Sequence, residues 1–261
     1  MKHCNIGTLE PGTWNLEHLN DRILFEDNHL LVLNKLPGEI VQGDKTGDEP
    51  LVESLKSYLK VKYNKPGAVF LGVVHRLDRP VSGAVIFART SKALSRMNEL
   101  IKARELSKVY WAIVSRQSSV ESRKSKVDSS KSVEVGADYE HLVNYLKRNE
   151  QQNKTYVFDL PGEGRQKAEL KYRKIASGDR YDLLEVELLT GRHHQIRAQL
   201  AHMGLPIKGD LKYGAPRSNP DGSICLHARM VEFVHPVSKE MISVTASVPE
   251  EKLWREIIKK L

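Results

Sequence analysis

Cysteine is nearly missing from this 261-residue chain, where Cys4 and Cys225 are the only two. Alone they make neither a disulfide framework nor a cysteine zinc site, and they fit a reduced, cytosolic protein. No apolar run approaches the ~20 residues that a membrane helix needs, and the opening Met1-Lys2-His3-Cys4-Asn5 lacks the apolar core of a signal peptide. A glycine-rich loop able to cradle phosphates is absent, as are an H-E-x-x-H metal pattern and a G-x-S-x-G nucleophile elbow. Acidic residues are the minority, 33 against 41 Lys and Arg, for a net charge of +8. That excess favours a polyanionic partner, most simply nucleic acid. Hydrophobic residues make up 40%, which suits a globular chain and not a disordered one. No internal repeat is visible.

What the chain does have is Val74-His75-Arg76-Leu77-Asp78-Arg79-Pro80-Val81-Ser82-Gly83, followed by the apolar run Ala84-Val85-Ile86-Phe87-Ala88. Asp78 lies two residues from Arg76 and one from Arg79. Nearby cations favour the ionised form of a carboxylate. Pro80 and Ser82-Gly83 are turn residues, so Asp78 is expected on a loop that enters a buried strand. An ionised carboxylate there is a candidate nucleophile or base. From spacing alone, a structural ion pair on a turn explains the pattern equally well.

Along the chain, residues 1–20 show no clear periodicity and read as an arm. Ile23-Leu24-Phe25 and Leu30-Leu31-Val32-Leu33 read as a hairpin around Asp27-Asn28. Asp48-Glu49-Pro50 opens a helix with Leu51, Leu55 and Leu59 on one face. Thr90-Ser91 caps a second helix running to Arg104, with Leu94, Met97 and Ile101 inward and Lys92, Arg96, Lys102 and Arg104 making it basic. Residues 108–114 form a β-rich run. The stretch 116–137 is Ser/Lys-rich and reads as an exposed mobile loop. Residues 139–146 stay unassigned. Residues 168–175 and 181–189 read as paired strands, a helix follows with Ile196, Leu200 and Met203 inward, 241–248 is a further strand, and 249–260 a terminal helix.

His75-Arg76-Leu77-Asp78 with Ser82-Gly83 resembles the catalytic motif of the RluA-type RNA pseudouridine synthases, usually H-R-L-D-x-x-T-S-G; Val81 stands where Thr is common. Thr190-Gly191-Arg192-His193-His194-Gln195-Ile196-Arg197 resembles the family's T-G-R-x-H-Q-I-R. Asn34-Lys35-Leu36-Pro37-Gly38 resembles its N-K-P-x-G, with Leu36 inserted, and Lys108-Val109-Tyr110-Trp111-Ala112 its K-x-Y-x-A. Gly209-Asp210-Leu211-Lys212-Tyr213-Gly214, Leu226-His227-Ala228 and His235-Pro236 match its last motifs. The resemblance runs from about residue 22 to about residue 250 in correct order. It implies an α+β fold: a single catalytic domain over 21–261, built on a mixed, mainly antiparallel sheet with flanking helices. The small N-terminal RNA-binding domain of many relatives is expected to be absent.

The resemblance implies conversion of uridine to pseudouridine in rRNA or tRNA, with no metal, cofactor or redox step. By it, Asp78 is the catalytic carboxylate, Arg197 its partner, and Tyr110 stacks under the target base and moves a proton. Arg76 is expected to fill the place of the flipped base, since a planar guanidinium stacks and binds phosphate at once. Lys35, His75, Arg192, His194 and Gln195 are expected to contact RNA; Lys92, Arg96 and Lys212 are further phosphate candidates. A monomeric, cytoplasmic enzyme is expected. Three rivals stand: a metal hydrolase on His193, His194, His202 and Asp210, a serine hydrolase on Ser82, and a catalytically inactive RNA-binding protein with the synthase fold. The last is the serious one, since charge alone supports it equally.

Overall fold

The computed structural model describes residues 16–44, 46–116, 135–136 and 138–261. In chain order these form α1 (Leu16–Asn20), β1 (Ile23–Glu26), β2 (Leu30–Lys35), α2 (Leu51–Lys62), β3 (Gly72–Val73), β4 (Ser82–Ala88), α3 (Ser91–Ala103), β5 (Ser107–Ser115), β6 (Glu140–Asn149), β7 (Lys154–Phe158), β8 (Gln166–Ser177), β9 (Tyr181–Leu188), α4 (Gln195–His202), a 3-10 turn (Leu211–Tyr213), β10 (Leu226–Val234), β11 (Met241–Thr245) and α5 (Lys252–Ile258). The strands make one mixed sheet in the order β1-β2-β4-β10-β5-β9-β8-β6-β7, with β11 beside β10 and β3 beside β4. Strands β4 and β10 run parallel. The other described pairs are antiparallel. The expected α+β class and the mainly antiparallel mixed sheet are both met.

Local chemistry explains the N-terminal half. The β1–β2 hairpin turns because the Asp27 carboxylate accepts the backbone N–H of His29 at 2.8 Å and of Leu30 at 2.6 Å. Helix α3 starts where the Thr90 hydroxyl accepts the N–H of Ala93 at 3.1 Å, and ends where Arg104 turns left-handed at φ +61°. Strand β4 is buried at every position. Its Val85 and Phe87 pack with Leu51, Leu55 and Leu59 of α2. Its Ala84, Ile86 and Ala88 pack with Ala93 and Met97 of α3. A strand covered on both faces must be apolar throughout, which is why 84–88 shows no alternation.

Some expectations shift. Residues 16–20 of the expected arm form α1, with Leu19 buried; residues 1–15 lie outside the described residues. So do 117–134 and 137, which hold nearly all of the expected Ser/Lys loop. The unassigned 139–146 belongs to β6, which forms a hairpin with β7. Along β6 only Asn144 and Leu146 are buried, so it carries almost no apolar periodicity to read.

Candidate active site

Chain segments far apart in sequence meet at the parallel junction. Gly83 of β4 pairs with Ala228 of β10, which pairs with Tyr110 of β5. Gly83 sits at φ +114°, and a Cβ there would fall 2.3 Å from the Ala228 carbonyl oxygen. Only glycine permits that approach. Beside it the Ser82 hydroxyl meets His227 Nδ1 at 2.9 Å, both residues buried. Ser82 is thereby occupied as a strand fastener rather than presented as a nucleophile. Serine and glycine together let two strands touch, and Tyr110 is carried to the Asp78 loop.

The loop itself closes through the Val81 N–H donating to the Asp78 carbonyl at 3.0 Å. It is tied down from outside by the Gly38 N–H on the Arg79 carbonyl at 2.8 Å and the Ile224 N–H on the Pro80 carbonyl at 3.1 Å. The strongest tie is Lys35. Its ammonium, fully buried, donates to the carbonyls of Leu36 at 2.9 Å, Arg79 at 3.1 Å and Val81 at 2.6 Å. Burial pulls its pKa down to about 7, opposed by Glu39 and Asp78. The expectation that Lys35 contacts RNA is therefore corrected: all three of its donors are used inside the chain, two of them on the loop that carries Asp78. Lys35→Met should lower stability by about 2–4 kcal/mol, because buried carbonyls lose their donor. Denaturant titration measures this, and an unmoved midpoint would show that other donors replace it.

A cleft of about 760 Å³ opens over this junction. Asp78, Tyr110, Arg197, His75, Arg76, Arg192, His194 and Gln195 all line it; Lys35, Lys92, Arg96 and Lys212 do not. Lys102, Arg104, Lys108 and Arg148 also line it. None of these four is among the site residues expected from sequence: Lys102 and Arg104 read only as part of a basic helix, Lys108 as the start of a β-rich run, and Arg148 lies just past the unassigned 139–146.

Arg197 is the hub. Its NH1 donates to Asp78 Oδ2 at 2.9 Å, while Nε and NH2 clamp both oxygens of Asp210 at 2.6 and 2.9 Å. Arg197 and Asp210 are buried; the Asp78 side chain is 31% exposed. Burial disfavours the guanidinium charge, but Asp210 and then Asp78 more than reverse this and raise its pKa. Asp210, weighed from sequence only as a metal ligand, thus has both oxygens committed to Arg197. Among the described residues, no side chain bonds Asp78 Oδ1.

The remaining lining residues divide. Burial, then the Asp78 charge, push the Tyr110 phenol well above its ordinary pKa, so it keeps its proton at neutral pH. Burial, then Lys108, lower the His75 pKa to about 3, and its Nε2 accepts the Ile86 N–H at 3.3 Å. Gln195 is buried; its Oε1 accepts from Thr190 Oγ1 and the Arg192 N–H, and its Nε2 donates to the Glu169 carbonyl. It shapes the Thr190–Gly191–Arg192 turn from within, and the expected RNA contact is corrected to that. Arg76 and Arg192 are exposed in the cleft.

A family model described as RNA pseudouridylate synthase matches residues 29–202. The chain belongs to this family. Membership carries the enzyme class with it: a pseudouridine synthase, an isomerase acting on RNA. Among curated relatives, an uncharacterised RNA pseudouridine synthase of Bacillus subtilis is 32% identical over 232 residues, 88% of this chain and 69% of that protein. The ribosomal large subunit pseudouridine synthase C of Escherichia coli is 31% identical over 250 residues, 93% of this chain and 71% of that protein. The chain thus spans about two thirds of the length of these relatives. In fold it resembles human RNA pseudouridylate synthase domain containing 4, with a TM-score of 0.70 at 21% identity over 90% of this chain and 91% of that one.

Proposed function

We propose that this synthase isomerises particular uridines in structured RNA, rRNA or tRNA, with Asp78 as the reacting carboxylate. The observation that carries this is the Asp78 carboxylate, held by one oxygen on a buried arginine and with no side chain of the described residues on the other, on the wall of a basic cleft. In the reaction the N1–C1′ bond breaks and C5 bonds to C1′. The C5 proton leaves and N1 gains one, so no electrons are exchanged. An ionised carboxylate serves either at the sugar or base as nucleophile, or as the base that takes a ribose proton. Tyr110, protonated and buried against the loop, supports the base from below. The reading carries with it a cofactor-free, metal-free, monomeric enzyme working in the cytoplasm.

The test is release of tritium from RNA labelled at uridine C5. Release with rRNA or tRNA supports the reading; tight RNA binding with no release from either would favour an inactive binding protein of the same fold. Two variants separate chemistry from holding. Arg192→Ala should flatten the slope of log affinity against log salt by about 0.7–0.9, the contribution of one phosphate contact. Arg76→Ala should slow the saturated single-turnover rate more than it weakens binding, because its role is to occupy the space of the flipped base. Loss of affinity alone in Arg76→Ala would make it another phosphate contact.

A further inference from the structure

Beside the Asp78–Arg197 pair runs a hydrogen-bonded chain that the scheme above leaves unused. The Thr155 N–H donates to the Tyr213 hydroxyl oxygen at 2.8 Å. That oxygen lies 3.0 Å from His194 Nδ1. His194 Nε2 in turn lies 3.5 Å from Asp78 Oδ2, the oxygen that also accepts from Arg197. A backbone N–H can only donate, so the tyrosine accepts there and its own O–H must go elsewhere. In reach are His194 Nδ1 at 3.0 Å and the Thr155 hydroxyl, which gives its own proton to the His193 carbonyl and already lies 2.9 Å from His193 Nδ1; the Tyr213 proton is best placed on His194 Nδ1. A neutral ring that accepts at Nδ1 carries its proton on Nε2, and that proton faces the carboxylate. The opposite tautomer would set a lone pair against an anion.

The ring is held firmly in this pose. His194 is buried, caps α4 at φ +50°, stacks on His193 with centroids 3.8 Å apart and meets the Tyr213 ring edge-on at 5.6 Å. Its surroundings keep it uncharged: burial foremost, opposed by Asp78, with Arg197, His193 and Lys212 acting in the same direction as burial. A neutral donor orients a carboxylate without adding a second full cation beside it. At 3.5 Å the contact is longer than a formed hydrogen bond, and such bonds tighten once a substrate fills the site.

We propose that His194 is a positioning residue for the isomerisation: fixed by Tyr213 as the Nε2–H tautomer, it gives Asp78 Oδ2 a second donor and so turns Oδ1 to the substrate. This rests on the reading of Asp78 as the reacting carboxylate. The experiment compares His194→Leu, His194→Gln and Tyr213→Phe by saturated single-turnover tritium release and by RNA dissociation constant. His194→Leu should lose roughly 10- to 100-fold in rate, the scale of one hydrogen bond to a charged group, with affinity nearly unchanged. His194→Gln, which offers an amide N–H near the Nε2 position, should recover most of that rate. Tyr213→Phe keeps the ring but frees its tautomer, so it should lose several-fold, and the nitrogen-15 histidine spectrum should show His194 leaving the Nε2–H form. Equal rates for the Leu and Gln variants, or a loss confined to affinity, would overturn the proposal. Should His194→Leu fail to fold, an unchanged rate and tautomer in Tyr213→Phe overturn it instead. If Asp78→Asn stays active, the carboxylate reading falls and takes this proposal with it; if Asp78→Asn is inactive while His194→Leu is not, only this proposal falls.

Discussion

Asp78→Asn should leave the fold and the RNA affinity in place and bring isomerisation down to background, a loss on the order of 10⁴-fold or more. The fold survives because the side chain keeps its shape, its amide oxygen still accepts from Arg197, and Arg197 retains both oxygens of Asp210. Chemistry does not survive, because an amide neither takes a proton nor attacks carbon at neutral pH. Thermal unfolding, filter binding and tritium release on one preparation separate these three quantities. More than a trace of turnover at unchanged stability would remove Asp78 from the mechanism.

Arg197→Met should have the opposite profile in stability. It strands Asp210, which is 1% exposed in its side chain and pairs with no other cation among the described residues. Removing one member of a buried ion pair costs about 3–5 kcal/mol, which for a chain of this size lowers Tm by roughly 6–20 °C. Activity should collapse as well, since Asp78 loses the donor that holds Oδ2. The double variant Arg197→Met, Asp210→Leu decides between the two effects: it should regain much of the stability and none of the activity. If it regained activity too, the arginine would serve only to neutralise Asp210. If Arg197→Met alone kept wild-type stability, the clamp would carry little energy.

How legible these features are from sequence follows from how far their causes reach. The β1–β2 hairpin, the Thr90 cap, the inward leucines of α2 and the buried run of β4 are each set by residues within a turn or two, and all are found where expected. Asp78 as the loop carboxylate and its meeting with Arg197 also stand, the latter through motif resemblance and not local pattern. Lys35 misleads because a lysine next to a turn normally points at water; nothing nearby in the chain announces that carbonyls of residues 79 and 81 surround it. The Asp210 clamp and the Tyr213–His194 contact span 13 and 19 residues through a turn, helix and loop, beyond any periodicity. Gln195 stands in a motif full of polar residues, and only the packed structure tells which of them face inward.

The contact between Ser82 and His227 joins residues 145 apart in the chain. A ribosome that has released the first 200 residues has therefore made Asp78, Tyr110 and Arg197 but not the strand that aligns them. Until Leu226–Val234 emerges, β4 lacks its parallel neighbour and β5 has no route to it. Closing so wide a loop is among the slower steps in forming a sheet. The pocket that holds Asp78, Tyr110 and Arg197 should thus close late and abruptly during synthesis.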